Sequence, residues 1–138
     1  MYPAEMVAPM KAELTDVGFE ELTTPDQVDH ALNSQDETVL VMVNSVCGCA
    51  AANARPAVIM SSKHENTPDK FTTVFAGVDV EAVAQARKHM LPYPPSSPSI
   101  ALFKGGKLVH FIERHHIEGR PAEMIAENLT AAFDEFCA

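Results

Sequence analysis

Residues Thr38 to Val43 form an unbroken β-branched and apolar run. A run of this kind reads as a strand covered on both faces, the pattern of a parallel sheet with helices on either side. The motif Cys47-Gly48-Cys49, close behind the run, constrains the chain further. Ala50 to Met60 is then an alanine-rich stretch suited to a helix, which Pro56 should bend. The chain must therefore set two thiols between the carboxyl end of a buried strand and the mouth of a helix.

The rest of the sequence supplies partners for that strand. Val7, Met10, Leu14 and Val17 recur at helical spacing, Gly18 comes next as a stop, and Pro9 should kink or delay this first helix. Phe19 to Leu22 reads as a short strand. Thr24-Pro25-Asp26-Gln27 is a capping box with Pro at the first helical position, and Val28, Ala31 and Leu32 give the helix its apolar face. Phe71 to Val78 is a second buried strand, and Asp79 is placed to cap the helix running through Val83 and Ala86 towards Met90. A proline-rich break comes next, with Pro92, Pro94, Pro95 and Pro98. Ile100–Phe103 and Leu108–Ile112 flank Lys104-Gly105-Gly106-Lys107, a hairpin signal. Pro121 opens a last helix whose Ile125, Leu129, Ala132, Phe133 and Phe136 make one core-facing stripe. This order predicts an α/β fold: a right-handed βαβ unit, a C-terminal hairpin, and a mixed sheet with helices on both faces.

Charge and cysteine usage narrow the function. The 138 residues carry a formal net charge of −9 and show no basic stripe, so neither nucleic acid nor an anionic membrane is an expected partner. No apolar run approaches the ~18 residues of a membrane span, and the start, Met1-Tyr2-Pro3-Ala4-Glu5, lacks the pattern of a signal peptide. A reducing cytoplasm is the expected location. There, 3 cysteines are not a disulfide scaffold, and two of them one residue apart point to redox chemistry or metal binding.

A helix N-terminus offers unpaired N–H groups and the positive end of the macrodipole, and both stabilise a thiolate. The thiolate is the nucleophile in disulfide exchange. Cys47, nearest the helix start and expected to be the more exposed, is the candidate attacking thiolate. Cys49 can then attack a mixed disulfide formed at Cys47, and Gly48 lets the backbone bend so that the sulfurs meet. The one-residue spacer makes a tight ring, which predicts an easily reduced, oxidising disulfide. A Cys-x-Cys metal site is the alternative, but His30, His64, His89, His110, His115 and His116 show no matching ligand spacing.

The segment Ser97-Pro98-Ser99-Ile100-Ala101-Leu102-Phe103-Lys104-Gly105-Gly106-Lys107 resembles the thioredoxin stretch of cis-proline, strand, Lys-Gly hairpin and strand. That resemblance implies that Pro98 is the cis-proline beside the reactive cysteine and that Ser97 offers its backbone to substrate. It also implies a three-layer α/β/α sandwich over residues 1–138, with residues 1–18 as an added N-terminal helical extension.

A closer resemblance covers nearly the whole chain. Gly18-Phe19-Glu20-Glu21-Leu22-Thr23, Val43 through Ala51, Ala54-Arg55-Pro56-Ala57, Pro95 through Ser99, His110-Phe111-Ile112 with Arg114-His115, and Ile117-Glu118-Gly119 resemble the bacilliredoxins. This family implies removal of the small thiol bacillithiol from protein mixed disulfides, with bacillithiol as co-substrate, no bound cofactor, and bacillithiolated or disulfide-bonded proteins as clients. Cys47 would accept the bacillithiol moiety, and Cys49 or a second bacillithiol would release it. A disulfide isomerase that uses no special small thiol would employ the same cysteines.

Several positions depart from ordinary thioredoxins. Val46 replaces the Trp before the first cysteine, Ala50 stands at the usual second-cysteine position, and Val41 stands where thioredoxins bury an acid. The thioredoxin proton relay is thus expected to be missing, leaving solvent, Asn44 or Ser45, though loop-end capping is the better account of those two. His115 and His116 are expected on a solvated loop, Arg55 in a surface or helix-packing role, and Cys137 as a spare surface thiol.

Overall fold

The computed structural model describes residues 2–138. Its elements are α1 (Ala4–Thr15), β1 (Glu20–Glu21), α2 (Pro25–Leu32), β2 (Thr38–Asn44), α3 (Arg55–Ser61), β3 (Lys70–Phe75), α4 (Val80–His89), β4 (Ser99–Lys104), β5 (Lys107–Ile112) and α5 (Ala122–Phe136). A π-helical turn, Ala50–Ala54, leads into α3, and a 3₁₀ turn, Arg114–His116, comes after β5.

The five strands lie in the order β1-β3-β2-β4-β5. β1 and β2 both run parallel to β3, whereas β4 runs antiparallel to β2 and pairs with β5 as a hairpin. The apolar run predicted as a doubly covered strand is β2, in which every residue is buried. Its alternation divides the core. Leu40 and Met42 enter the cluster formed with α3 and α5, and Val39, Val41 and Val43 enter the cluster formed with α2 and α4. Each large side chain so buried contributes about 2 kcal/mol. Thr72 and Thr73 of β3 are buried without cost in unpaired hydroxyls, because they donate to the carbonyls of Leu40 and Met42, each at 2.9 Å. The result is a three-layer α/β/α sandwich of thioredoxin-like fold.

Local signals acted as expected in several places. Thr24 Oγ1 accepts the N–H of Gln27 at 3.2 Å, and the Gln27 side chain reaches back to the N–H of Thr23 at 2.8 Å. Gly105 and Gly106 both take positive φ, 58° and 80°, which closes the β4–β5 turn with Lys104 opposite Lys107. α5 buries Ile125, Leu129, Ala132 and Phe133 on one stripe.

Three expectations need correction. Val17 lies beyond the end of α1 and is exposed, so only Val7 and Leu14 bury the face of that helix. Pro56 does not simply bend a helix. The backbone widens into the π turn just ahead of it, which accommodates a residue that cannot donate to the preceding turn. Asp79 occupies the N-cap position of α4 but makes no capping bond. Its carboxylate accepts from Lys11 Nζ at 3.0 Å, and Lys11 also reaches Glu21 at 2.6 Å. One lysine thereby ties α1 to β1 and to the start of α4.

Candidate active site

β2 ends at the buried Asn44, and Ser45 and Val46 carry the chain over the sheet edge. The backbone is helical from Gly48, and the N–H groups of Ala50 and Ala51 bond to the carbonyl of Cys47 at 3.0 and 3.2 Å. Cys47 is therefore the residue that opens the helical segment, and the N–H groups of Cys49 and Ala50 in its first turn act on its sulfur. The Sγ atoms of Cys47 and Cys49 are 2.6 Å apart, and the Ser45 hydroxyl donates to Cys47 Sγ at 3.4 Å.

Both cysteines are half-buried, so exposure does not distinguish them. Hydrogen bonding and charge do. Burial pushes the Cys47 thiol up, but bonds from the Cys49 thiol, the Ser45 hydroxyl and the N–H groups of Ala50 and Cys49 outweigh it and leave its pKa lowered. Burial also pushes Cys49 up, and here the proton it shares with Cys47 and the charge of that sulfur act in the same direction, so its pKa is raised. The first sulfur is favoured as thiolate and the second as thiol, which is the division of labour that exchange chemistry needs.

Beneath the pair lies a buried polar network. Arg55, 2% exposed, donates from Nη1 to Asn44 Oδ1 at 3.0 Å and to the Ser45 carbonyl at 2.9 Å, and from Nε to Glu13 at 3.1 Å. Asn44 Oδ1 also accepts the Ser45 N–H at 2.9 Å, and Asn44 Nδ2 donates to the Met10 carbonyl at 3.3 Å. Arg55 is thus no surface residue. It clamps the end of β2, the turn carrying Ser45, and α1 to the base of the cysteine helix. Asn44 caps the loop end, one of the two roles expected of it, while Ser45 also touches the Cys47 sulfur. Val41 is fully buried among apolar neighbours.

The Ser97–Pro98 peptide is cis, as the thioredoxin resemblance implied; Leu91–Pro92, which carried no sequence signal, is cis as well. Ser97 and Cys47 line the same groove, about 230 Å³, together with Ser45, Val46, Tyr2 and Arg114. The Ser97 carbonyl accepts from Arg114 Nη1 at 3.1 Å, which leaves one lone pair for another donor. Tyr2 is seated by its N–H bond to the Gly77 carbonyl, and its ring lies where a Cβ at Gly77 would intrude at 2.8 Å. A more enclosed cavity of about 180 Å³ between β5 and α5, lined by Phe111, His116, Met124 and Asn128, contains neither sulfur.

Gly48 is exposed, its φ is not positive, and an added Cβ would meet nothing within 4 Å. The sulfurs therefore meet without a conformation reserved to glycine; what its small size provides is open space beside them. His115 and His116 are exposed on the 3₁₀ turn with ring centroids 4.0 Å apart. With Glu113 they form the group of three possible metal ligands among the described residues, and neither cysteine of the pair belongs to it. Cys137 is half-buried against the core rather than a free surface thiol, and burial pushes its pKa up. The residues that sequence reasoning passed over are Tyr2, Arg114 and Glu118. Arg114 and Glu118 stood inside quoted motifs, but nothing local says that their turn folds back onto the cysteines.

The family model described as disulphide isomerase matches residues 2–137. A protein named bacilliredoxin from Cytophaga hutchinsonii is 59% identical over 98% of this chain and 99% of its own. One of that name from Salinibacter ruber is 52% identical over 99% of this chain and 81% of its own. Among solved structures, mitochondrial thioredoxin 3 from Saccharomyces cerevisiae superposes with a TM-score of 0.58 at 14% identity, covering 89% of this chain and 98% of that one.

Proposed function

The chain belongs to the bacilliredoxin family and is a thiol–disulfide oxidoreductase, and from this premise we propose that it removes bacillithiol from protein mixed disulfides through Cys47 and Cys49. The Cys47 thiolate attacks the bacillithiol sulfur of the client's mixed disulfide. The client leaves as a thiolate that takes a proton from water, and bacillithiol is now bonded to Cys47. Two routes complete the cycle. A second bacillithiol thiolate attacks the bound bacillithiol sulfur, giving the symmetrical bacillithiol disulfide and restoring the Cys47 thiolate. Alternatively Cys49, once deprotonated, attacks Cys47 Sγ, expels bacillithiol and closes the Cys47–Cys49 disulfide, which two further thiols reopen while becoming a disulfide themselves.

The observation that carries this reading is the pair itself: two sulfurs in contact at the mouth of a helix, with pKa values moved in opposite directions, the first of them lining a groove with Ser97 of the cis Ser97–Pro98 peptide. In this reading Ser97 and Pro98 hold the client's chain beside Cys47, and Gly48 leaves its approach unobstructed. The clients are bacillithiolated or disulfide-bonded proteins. The setting is a reducing cytoplasm, which would keep the pair ready to attack. No helix is long and apolar enough to cross a membrane among the described residues.

The test is mass spectrometry of a Cys49→Ser variant recovered from its own cells after oxidative stress. Without its resolving thiol, Cys47 should carry the mass of bacillithiol. Adducts to proteins alone would favour disulfide isomerisation without a small thiol, and an unmodified Cys47 would overturn the exchange reading altogether.

A further inference from the structure

Arg114 is distant from the cysteines in sequence and beside them in space. It sits on the 3₁₀ turn after β5, and its side chain is 44% exposed. Two bonds fix the guanidinium. Nη1 donates to the Ser97 carbonyl at 3.1 Å, and Nε donates to the Glu118 carboxylate one helical turn on. Nη2 has no hydrogen-bond partner among the described residues. The Glu118 bond is the main reason that the Arg114 pKa is raised, and the charges of Cys49 and Cys47 add to it. Arg114 in turn favours the thiolate of Cys49. Its charge therefore lies within reach of both sulfurs.

The surroundings say what that charge can meet. Of the described side chains lining the groove, Arg114 is the one cation, and Cys47, favoured as thiolate, is the one group of anionic character. A groove of about 230 Å³ takes a small molecule or the end of one. The two N–H groups of the free Nη2 can make a charge-assisted hydrogen bond to a carboxylate that enters the groove. Glu118 already balances part of the positive charge, which suits a single carboxylate better than a doubly charged phosphate.

We propose that Arg114 is a specificity residue: its free Nη2 donates to a carboxylate of the small thiol whose sulfur is bonded to Cys47. This rests on the exchange reading above and adds the chemical feature by which the small thiol is told apart from uncharged ones. The fork anchored on the Ser97 carbonyl sets the distance between that carboxylate and the disulfide. A small thiol without an acid group would react through the same sulfurs but gain nothing from the groove.

The test uses two symmetrical disulfides as probes, 3,3′-dithiodipropionate and the uncharged bis(2-hydroxyethyl) disulfide. Reduced full-length protein is mixed with each, and the rate of mixed-disulfide formation at Cys47 is read by quench and mass spectrometry, relative to the rate of dithiothreitol with the same probe. The wild-type chain should prefer the dicarboxylate by about tenfold on that scale, the size of one charge-assisted contact. Arg114→Gln should bring the ratio of the two rates to about one, since any effect of the charge on the sulfurs themselves acts on both probes alike, and Arg114→Lys should keep part of the preference, with salt weakening it. An equal slowing on both probes would mean that Arg114 acts on the sulfurs and not on the ligand, and an unchanged ratio would mean that it recognises nothing; either result overturns the proposal. Wild-type protein that exchanges fast but without preference would sink the proposal and leave the exchange reading intact. Wild-type protein no faster than free cysteine on either probe would sink both.

Discussion

A cysteine stands near each end of β2, and the two thiols are shifted in opposite directions. Cys47 lies just past the carboxyl end of the strand and opens a helical segment, where amides and a hydroxyl donate to its sulfur, and its pKa is lowered. Cys137 ends α5 near Thr38 at the other end of the strand. Burial is the main cause that raises its pKa. The Asp69 carboxylate adds to it, and the Thr38 hydroxyl and Lys104 only partly oppose it. A helix start presents N–H groups and a helix end presents carbonyls, so one stabilises a thiolate and the other does not.

The polar groups around the two thiols differ in the same sense. At Thr38 the hydroxyl and N–H exchange bonds with Asp69 at 2.9 to 3.2 Å, and both groups also act on the Cys137 thiol. At Asn44 the bonds run on from Glu13 through Arg55 and Asn44 to Ser45, and Ser45 ends on the Cys47 sulfur. The first arrangement does not reach the Cys47–Cys49 pair. The second ends on the Cys47 sulfur, so a change anywhere along it should be felt at that thiol.

The largest test of this contrast removes the sulfurs. Cys47→Ser should abolish release of a small thiol from a client mixed disulfide, a loss of about a thousandfold or more, whereas Cys137→Ser should stay within about twofold. Comparable losses in both variants would break the comparison.

A smaller effect is expected from the supports. Arg55→Met leaves Asn44 Oδ1 and the Ser45 carbonyl without their buried donor and should cost about 2–3 kcal/mol in urea unfolding. It should also slow alkylation of Cys47 at neutral pH. Thr38→Val, at the other end of the strand, should cost about 1 kcal/mol and leave Cys47 alkylation unchanged. If both variants unfold more easily but neither alters Cys47, the Asn44 network is structural only.

The smallest effect is in the unmodified protein. At neutral pH iodoacetamide should label Cys47 about tenfold or more faster than Cys137, since rate tracks thiolate fraction. Because the two shifts are opposite, the Cys47 rate should hold until the pH falls through its lowered pKa, while the Cys137 rate should rise only above the range of a free thiol. Ser45→Ala removes one of the bonds to the Cys47 thiolate and should move its midpoint upward. Identical pH profiles for the two cysteines would refute the contrast.

The regions that were readable in advance share one property. The apolar run of β2, the Thr24–Gln27 capping box, the Gly105-Gly106 turn and the α5 stripe each depend on residues close together in the chain. Local sterics and periodicity dictate them wherever the segment lies. The cysteine pair was readable for the same reason, and the cis Ser97–Pro98 bond came through the likeness to thioredoxins. The π turn ahead of Pro56 was not readable as such, since a bend and a widened turn answer the same constraint.

Other features have no local signature. Arg55 reads as an ordinary surface arginine until Glu13, Asn44 and the Ser45 carbonyl close around it. Asp79 sits at an N-cap position, yet Lys11, 68 residues away in sequence, takes its carboxylate. Arg114 and Tyr2 meet in the groove beside Cys47 only because the turn after β5 and the chain ahead of α1 converge at the same end of the sheet.

The sequence by itself therefore determined the order of elements, the division of the core between two helical layers, and the pair of sulfurs proposed to react. The tertiary structure alone decided which donors reach the Cys47 sulfur, which arginine is buried and which faces the groove. Those outcomes depend on charges and donors a few ångströms apart in space but tens of residues apart in the chain, and electrostatic interaction depends on distance through space.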